Sequence, residues 1–415
     1  MRISTIQAFN NGVQGLQRNY ANVTRTQEQI STGNRILTPA DDPVASVRLL
    51  QLEQQQGVLQ QYKDNLVAAN NSQTQEETTL NSVNTVLLRI QELTTSAGNG
   101  VLDLADRQSL AAELSEREDE LLGLLNTRNA RGEYLFSGFQ GKSQPFVRGA
   151  DGSYSYQGDE GQRKLEIASS LQVPISDNGK KIFQDNINAG RLDGVLTTVP
   201  GSTLTASAPL VQDEVSYSGN PPFPPDGVDI VFGTPDARSY QVFAAGTTAP
   251  ALADGKMDDD PKQSDRLVFR GVVINFEGEP VGGETMTVRD DPSRYRVGML
   301  DTIAQLRKTL EEAPDTPEGA HQVRDSIALA LTNLSTASVS VDSARGDIGA
   351  RLNIISTTQL DNEDVTLVNQ GVQADLRELD YPEALSRLSM QSLVLQAAQQ
   401  SYVKISGLSL FNMLN

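Results

Sequence analysis

Two amphipathic seams, one at each end of the chain, constrain the fold more than any other feature. From Ile6 the apolar side chains keep a heptad frame, with Ile6, Val13 and Tyr20 on one line and Phe9, Leu16, Val23 and Ile30 on its companion. Spacings of three and four put all seven on one narrow helical stripe, which is the coiled-coil pattern. The positions between them are mostly small or uncharged, among them Ser4, Asn10, Gln14 and Asn22. A helix with so narrow a stripe is marginal alone and requires a partner. Near the other end, Ala384, Leu388, Leu395, Ala398, Tyr402 and Ile405 again fall at intervals of three, four or seven. The first and last helices are therefore expected to pair, closing everything between them into one loop of chain.

Composition excludes much of the usual chemistry. The 415 residues suffice for roughly two to four domains, and they contain no cysteine, no tryptophan and one histidine. Disulfides, a thiol nucleophile and cysteine-ligated metal are ruled out, and a zinc site or Ser-His-Asp triad would rest on His321 alone. No catalytic, metal or cofactor set emerges, so no cofactor is expected. No stretch reaches the ~18 consecutive apolar residues of a membrane span. The N-terminus lacks the pattern of a secretory signal peptide, so the default is cytosolic unless a dedicated exporter reads another signal.

The net charge of −19 argues against nucleic acid. Residues 1–40 carry +3 and residues 385–415 carry +2, which leaves −24 on the other 344. Ends that avoid the acidic, solvated character of the rest suit segments packed on all sides in an assembly.

Between the seams the chain alternates long helical runs with one β-rich stretch. Gly33 stands where the first helix should stop. In Thr38-Pro39-Ala40-Asp41-Asp42-Pro43, Asp42 is placed to cap a second helix that begins at Pro43. Read as a metal or acid–base pair the two acids have no further ligands, so capping is preferred. Ala45, Leu52, Leu59, Leu66, Leu80 and Leu87 stand at multiples of seven and predict a helix over about 43–97, some 80 Å long. Gln73 and Glu76 interrupt its apolar line, where looser packing is expected. A third helix over about 104–128 should fold back on it.

From Gly132 to about residue 300 the chain is rich in Gly, Pro, Asp and Tyr, with short alternating runs such as 267–269 and 272–276. Hairpins at about 145–185 and a separate module at about 186–292 are expected. Asp258-Asp259-Asp260 lacks the spaced ligands of a calcium loop and Gly278–Gly283 lacks the ending of a phosphate loop, so both read as turns. Helical sevens return at Ile327, Leu334, Val341, Ile348 and Ile355, and Asp380-Tyr381-Pro382 repeats the proline boundary seen near residue 43.

On these residues the chain resembles the flagellar axial proteins of the flagellin superfamily, and within them the hook-associated proteins. The resemblance is carried by Met1–Thr5, by Gln29–Arg35, and by Asp41, Asp42 and Pro43, where flagellins usually follow the two acids with Ala-Ala-Gly. It is carried further by Gly132–Gly138 with Tyr134, Phe136 and Gly138, and by Gly278–Glu284, in which Glu284 replaces the usual Asp. The last matches are Arg345–Leu352, with Arg345 and Gly349, and Ser406–Phe411. The match spans roughly 1–185 and 265–415; most of the middle module resembles nothing quoted.

The resemblance implies a mainly α protein with a β insertion. A long antiparallel coiled-coil-like rod would be built from both termini, with β hairpins and a projecting β module in the middle. The expected division is 1–42 plus 380–415 for assembly, 43–185 plus 293–379 for a helical shaft with hairpins, and 186–292 for a variable module. The implied role is structural: a protein exported unfolded by the flagellar type III apparatus, placed between hook-associated protein 1 and flagellin. Copies of itself in a ring and a cytoplasmic export chaperone on the C-terminal helix are the other implied partners. The assembly residues would be Ile6, Phe9, Val13, Leu16, Tyr20, Val23, Leu388, Leu395, Tyr402, Ile405, Leu408, Leu410 and Phe411. Two alternatives stay open: a flagellin proper, which would polymerise alone, and an enzyme whose activity lies in the β module.

Overall fold

The computed structural model describes the backbone of residues 2–100, 102–260 and 263–414, and the side chains of 7, 9–100, 102–260 and 263–404. Among the described residues seven α-helices run in chain order as α1 (Arg2–Thr32), α2 (Pro43–Ala97), α3 (Leu104–Leu125), α4 (Glu214–Ser218), α5 (Met299–Glu312), α6 (Pro317–Arg377) and α7 (Tyr381–Leu414). The antiparallel β region lies between α3 and α5, so the chain is mainly α with a β insertion. Among the described residues no helix is long and apolar enough to cross a membrane.

The helix ends follow from local chemistry. Gly33 takes φ +71, and its N–H donates to the Gln29 carbonyl at 2.9 Å, which ends α1. Asp42 Oδ1 accepts the Ala45 N–H at 3.0 Å, and Pro43 starts α2 without an orphan donor. Asp103 and Asp106 exchange hydrogen bonds as a capping box at the start of α3.

The chain forms two compact units. The first comprises Met1–Leu66, Ile167–Ser170 and Ser356–Asn415, and thus holds α1, α7, the first part of α2 and the end of α6. Its buried apolar residues are few among the described residues: Ala45, Leu52, Leu59, Leu66, Ile167, Leu379 and Ala384.

The second unit comprises Val67–Glu166 and Leu171–Ile355. It has a continuous core in which Leu80, Leu87 and Ile90 of α2 meet Leu114 and Leu121 of α3, Ile303 and Leu306 of α5, and Leu334 and Val341 of α6. The looser packing expected at Gln73 and Glu76 is absent. Both are buried, because Gln73 Nε2 donates to the Pro174 carbonyl at 2.9 Å and the Asp177 N–H donates to Glu76 Oε1 at 3.0 Å. A polar docking point takes the place of an apolar one.

The strands are β1 (Phe146–Arg148), β2 (Tyr154–Tyr156), β3 (Lys164–Ala168), β4 (Leu171–Pro174), β5 (Asn186–Ile187), β6 (Leu192–Thr197), β7 (Thr205–Ala206) and β8 (Leu210–Val211). They continue as β9 (Val228–Phe232), β10 (Ser239–Ala244), β11 (Ala253–Lys256), β12 (Asp265–Phe269), β13 (Val272–Glu277), β14 (Thr285–Asp290) and β15 (Arg296–Val297). One sheet has the order β11-β10-β9-β14-β6, with Val288 opposite both Val228 and Gly194. A second has the order β12-β13-β7, with β8 also on β13, and β1-β2, β3-β4 and β15-β5 pair separately. Phe232 and Phe276 join their facing sides, with ring centroids 5.2 Å apart and nearly perpendicular. Glu284, fully buried, accepts the N–H groups of Val199 and Val281, so this acid ties the Gly278–Gly283 turn.

This β region lies along α6. Asn333 Oδ1 accepts the Ala189 N–H at 2.8 Å, Ser340 Oγ donates to Asn186 Oδ1 at 2.7 Å, and Glu277 pairs with His321 and Arg324. Residues 321–340 cover about 28 Å of helix.

Candidate functional site

The geometry that the sequence places at the centre of the protein is the α1–α7 pair. Phe9 and Tyr402 lie with ring centroids 5.4 Å apart, and a Cβ on Gly12 would sit 3.4 Å from the Tyr402 ring. Further along α1 and further back along α7, Thr26 Oγ1 donates to Gln391 Oε1 at 2.8 Å. At the end of α1, the Leu379 N–H donates to the Gly33 carbonyl at 3.0 Å and the Arg35 N–H to the Arg377 carbonyl at 2.8 Å. The helices are thus antiparallel, pinned at one end by a short backbone ladder around Asn34 and Glu378.

The inner face of α7 is the line Ala384, Leu388, Gln391, Leu395, Ala398 and Tyr402, all buried or half-buried. On α1 the line Leu16, Val23 and Ile30 is half-buried as the heptad reading expects. Its companion is different. Gly12, Asn19 and the buried Thr26 fill it, whereas Val13 is half-buried and Tyr20 is 65% exposed. A small residue, Gly12, thus stands opposite the Tyr402 ring, and Thr26 gives Gln391 a hydroxyl partner. Gly12, Asn19 and Thr26 stand at sevens in the sequence, the one signal that could have found this line. Ile6, Ile405, Leu408, Leu410 and Phe411 lie outside the residues whose side chains are described.

The outer faces of this unit are apolar and open. Met390 and Leu393 of α7 are 65% and 64% exposed, and Val44, Val47 and Leu50 of α2 and Leu367 and Val368 of α6 are exposed as well. Exposed apolar residues in this number offer contact points for neighbours.

The motif residues have local tasks. Asp41 accepts the N–H groups of Leu37 and Thr38 at 2.9 and 3.0 Å and pairs with Arg25, which fixes the link between α1 and α2. The Tyr134 hydroxyl meets Arg128, whose guanidinium lies 4.4 Å above the ring. Phe136 is fully buried edge-on to Phe183 at 4.9 Å. Gly138 takes φ +71, and a Cβ there would strike Asp159 at 2.3 Å, so the close approach demands glycine. Arg345 reaches Glu77 at 3.4 Å, while Gly349 lies in the middle of α6 with open space beside it. Among the described residues no cluster of three or more His, Cys, Asp or Glu is placed to share a metal ion.

Comparison with known proteins agrees with this geometry. Residues 3–141 match the family model for the bacterial flagellin N-terminal helical region. Over 414 residues, 100% of this chain and 99% of the other, the sequence is 24% identical to flagellar hook-associated protein 3 of Escherichia coli. The chain is similar over its whole length to flagellar hook-associated protein 3. With flagellar hook-associated protein 3 of Salmonella typhimurium it shares 33% identity over 183 residues, 44% of this chain and 57% of that one. Its fold is that of the flagellar junction protein FlgL from Legionella pneumophila, with a TM-score of 0.61, 24% identity, and 80% of this chain and 100% of that one covered. Its role is that of a flagellar structural protein.

Proposed function

We propose that the protein forms the junction between hook-associated protein 1 and the first flagellin subunits, and that copies of it close a ring through α1 and α7. The observation that carries this reading is the first unit, whose pair of terminal helices packs along one line and leaves apolar residues such as Met390, Leu393, Val44 and Leu367 open for neighbours. Phe9, Val13, Leu16, Tyr20 and Val23, with Leu388, Leu395 and Tyr402, then contribute to the assembly surface, some facing the partner helix and others facing neighbours. The division of labour follows: 1–42 and 380–415 assemble, and 186–292 is the variable part.

On this reading the chain leaves the cell unfolded through the flagellar type III apparatus and acts outside it. Before export a dedicated cytoplasmic chaperone covers the apolar surface of α7, which would otherwise aggregate. A strain lacking the protein should carry hooks without filaments and shed flagellin into the medium, and the gene supplied in trans should restore filaments. Filaments of normal number in that strain would overturn the reading. Flagellins carry the same N-terminal helical region, so a second test separates the two roles. Purified flagellin builds long filaments by itself, and this protein should not.

A further inference from the structure

Glu76 is a buried acid that neither the terminal seam nor the family motifs explain. It sits on α2, 1% exposed, with the Asp177 N–H on its Oε1 at 3.0 Å. The Asp177 carboxylate receives Arg351 of α6 through both terminal nitrogens, at 2.7 and 3.0 Å, and Gln162 Nε2 at 2.6 Å. Arg163 holds Glu133 at 2.8 Å, and its own backbone pairs with Ile175 and Ser176. The segment Pro174–Asn178 is therefore seated on α2 and α6 by polar groups.

The cations at this seat are taken by other acids. Arg163 and Arg131 hold Glu133, and Arg351 holds Asp177 with Asp347 nearby. Around them Arg345 meets Glu77 and Asp342, Lys180 meets Glu160, and Lys181 lines the cleft beside it. His321 pairs with Glu277 elsewhere. None of these ion pairs reaches Glu76. An uncompensated buried carboxylate is costly, so such a group keeps its proton. Burial, with the Asp177 charge adding to it, pushes the Glu76 carboxyl up to about 8.

We propose that Glu76 is a proton-operated latch: protonated, it lets the Pro174–Asn178 segment seat on α2 and α6, and its ionisation loosens that segment. A cleft of about 440 Å³, lined in part by Gln162, Asp177, Asn178, Ser343 and Arg351, borders the seat and admits water when it loosens. The latch also governs the Tyr134–Gly138 stretch, because the Gly179 N–H donates to the Phe136 carbonyl at 3.0 Å and Ser137 bridges to Asn178.

The sign follows from linkage. The seated state binds the Glu76 proton more tightly than the open state, in which the carboxyl returns to its ordinary value. Seating is strongest below about pH 4.5, weakens as pH rises toward about 8, and levels above it. Hydrogen exchange of the Ile175, Asp177 and Gly179 amides in the full-length protein, corrected for intrinsic rates, measures this. The opening constant should rise up to about tenfold per pH unit between pH 5 and 8 and then level. Glu76→Gln keeps the acceptor for the Asp177 N–H and has no proton to lose, so its opening constant should be flat. Asp177→Asn removes the like charge and frees Arg351, so levelling should move to lower pH while amides at Leu87 and Ile90 stay protected. A flat wild-type profile, the same rise in Glu76→Gln, or an unmoved profile in Asp177→Asn would overturn the latch.

Discussion

Leu52, Leu59 and Leu66 share one heptad line of α2 with Leu80 and Leu87, and all are buried, yet the two stretches live in different surroundings. Around Leu80 and Leu87 the other faces of the helix are covered too, with Val83, Val86 and Ile90 buried in the core of the second unit. Around Leu52 and Leu59, Val44, Val47, Leu50 and Val58 are exposed. α6 repeats the contrast. Ile327 to Ile355 are buried at sevens, after which the line continues as Asn362 and Asn369 while Val365, Leu367 and Val368 face out. Buried polar atoms without a protein partner occur in both units, such as Gln56 Oε1 and Asn369 Nδ2 in the first and Gln73 Oε1 and Asn186 Nδ2 in the second. The contrast lies in the apolar residues, enclosed around Leu80 and Leu87 and turned outward around Leu52 and Leu59. Outward apolar surface of that kind marks an interaction face.

The strongest way to break this contrast is to spoil the terminal seam. Leu395→Asp places a charge on a half-buried line that pairing requires. Filaments per cell, counted by electron microscopy in the null strain, should fall to the null level, while the melting of the second unit stays unchanged. Normal filaments would remove α7 from the interface. Leu388→Asp should behave alike.

Next in size is a pair of truncations matched in chemistry. Leu334→Ala opens a cavity in the finished core and should cost about 2–5 kcal/mol in denaturant unfolding of the monomer. Val368→Ala, exposed in the open unit, should change monomer stability by no more than about 0.5 kcal/mol and yet weaken assembly. Equal losses in the monomer would erase the distinction. A smaller effect is expected for Thr26→Val, which deletes the hydrogen bond to Gln391 and should weaken α1–α7 pairing by about 1 kcal/mol. Thermal melts of the assembled junction measure it.

The sequence made α2 legible to the residue because its signals are local: sevens of Leu, a capping Asp42, a proline at the first position. The existence of the α1–α7 pair was legible for the same reason. Its exact face was not, because Gly12 and Thr26 meet Tyr402 and Gln391 from some 365–390 residues away. Gln73 and Glu76 read as interruptions since their partners, Pro174 and Asp177, lie 101 residues on. Strand pairing was equally hidden: β14 sits between β6 and β9, which are far apart in the chain.

The least effect on assembly should come from the largest deletion. The Asp291 N–H donates to the Arg191 carbonyl at 2.9 Å, so the ends of the 190–290 stretch are close and a short Gly/Ser linker closes them cheaply. Asn333 keeps Asn188 and Ala189 as partners. This variant should be exported and support filaments, whereas removing only 406–415 should abolish them. A folded, exported deletion that built no filaments would show that the β region takes part in the junction.

The central claim is that the terminal unit is completed by other chains. Hydrogen exchange at Leu16 and Leu395, compared with Leu87 and Leu334, in the free monomer and again in the assembled junction, tests it most directly. In the monomer, the first two amides should exchange with almost no protection while the second two remain protected to the global limit; on assembly all four should be protected. Strong protection of Leu16 and Leu395 in the monomer would mean that the terminal helices are complete by themselves, and the account would be contradicted.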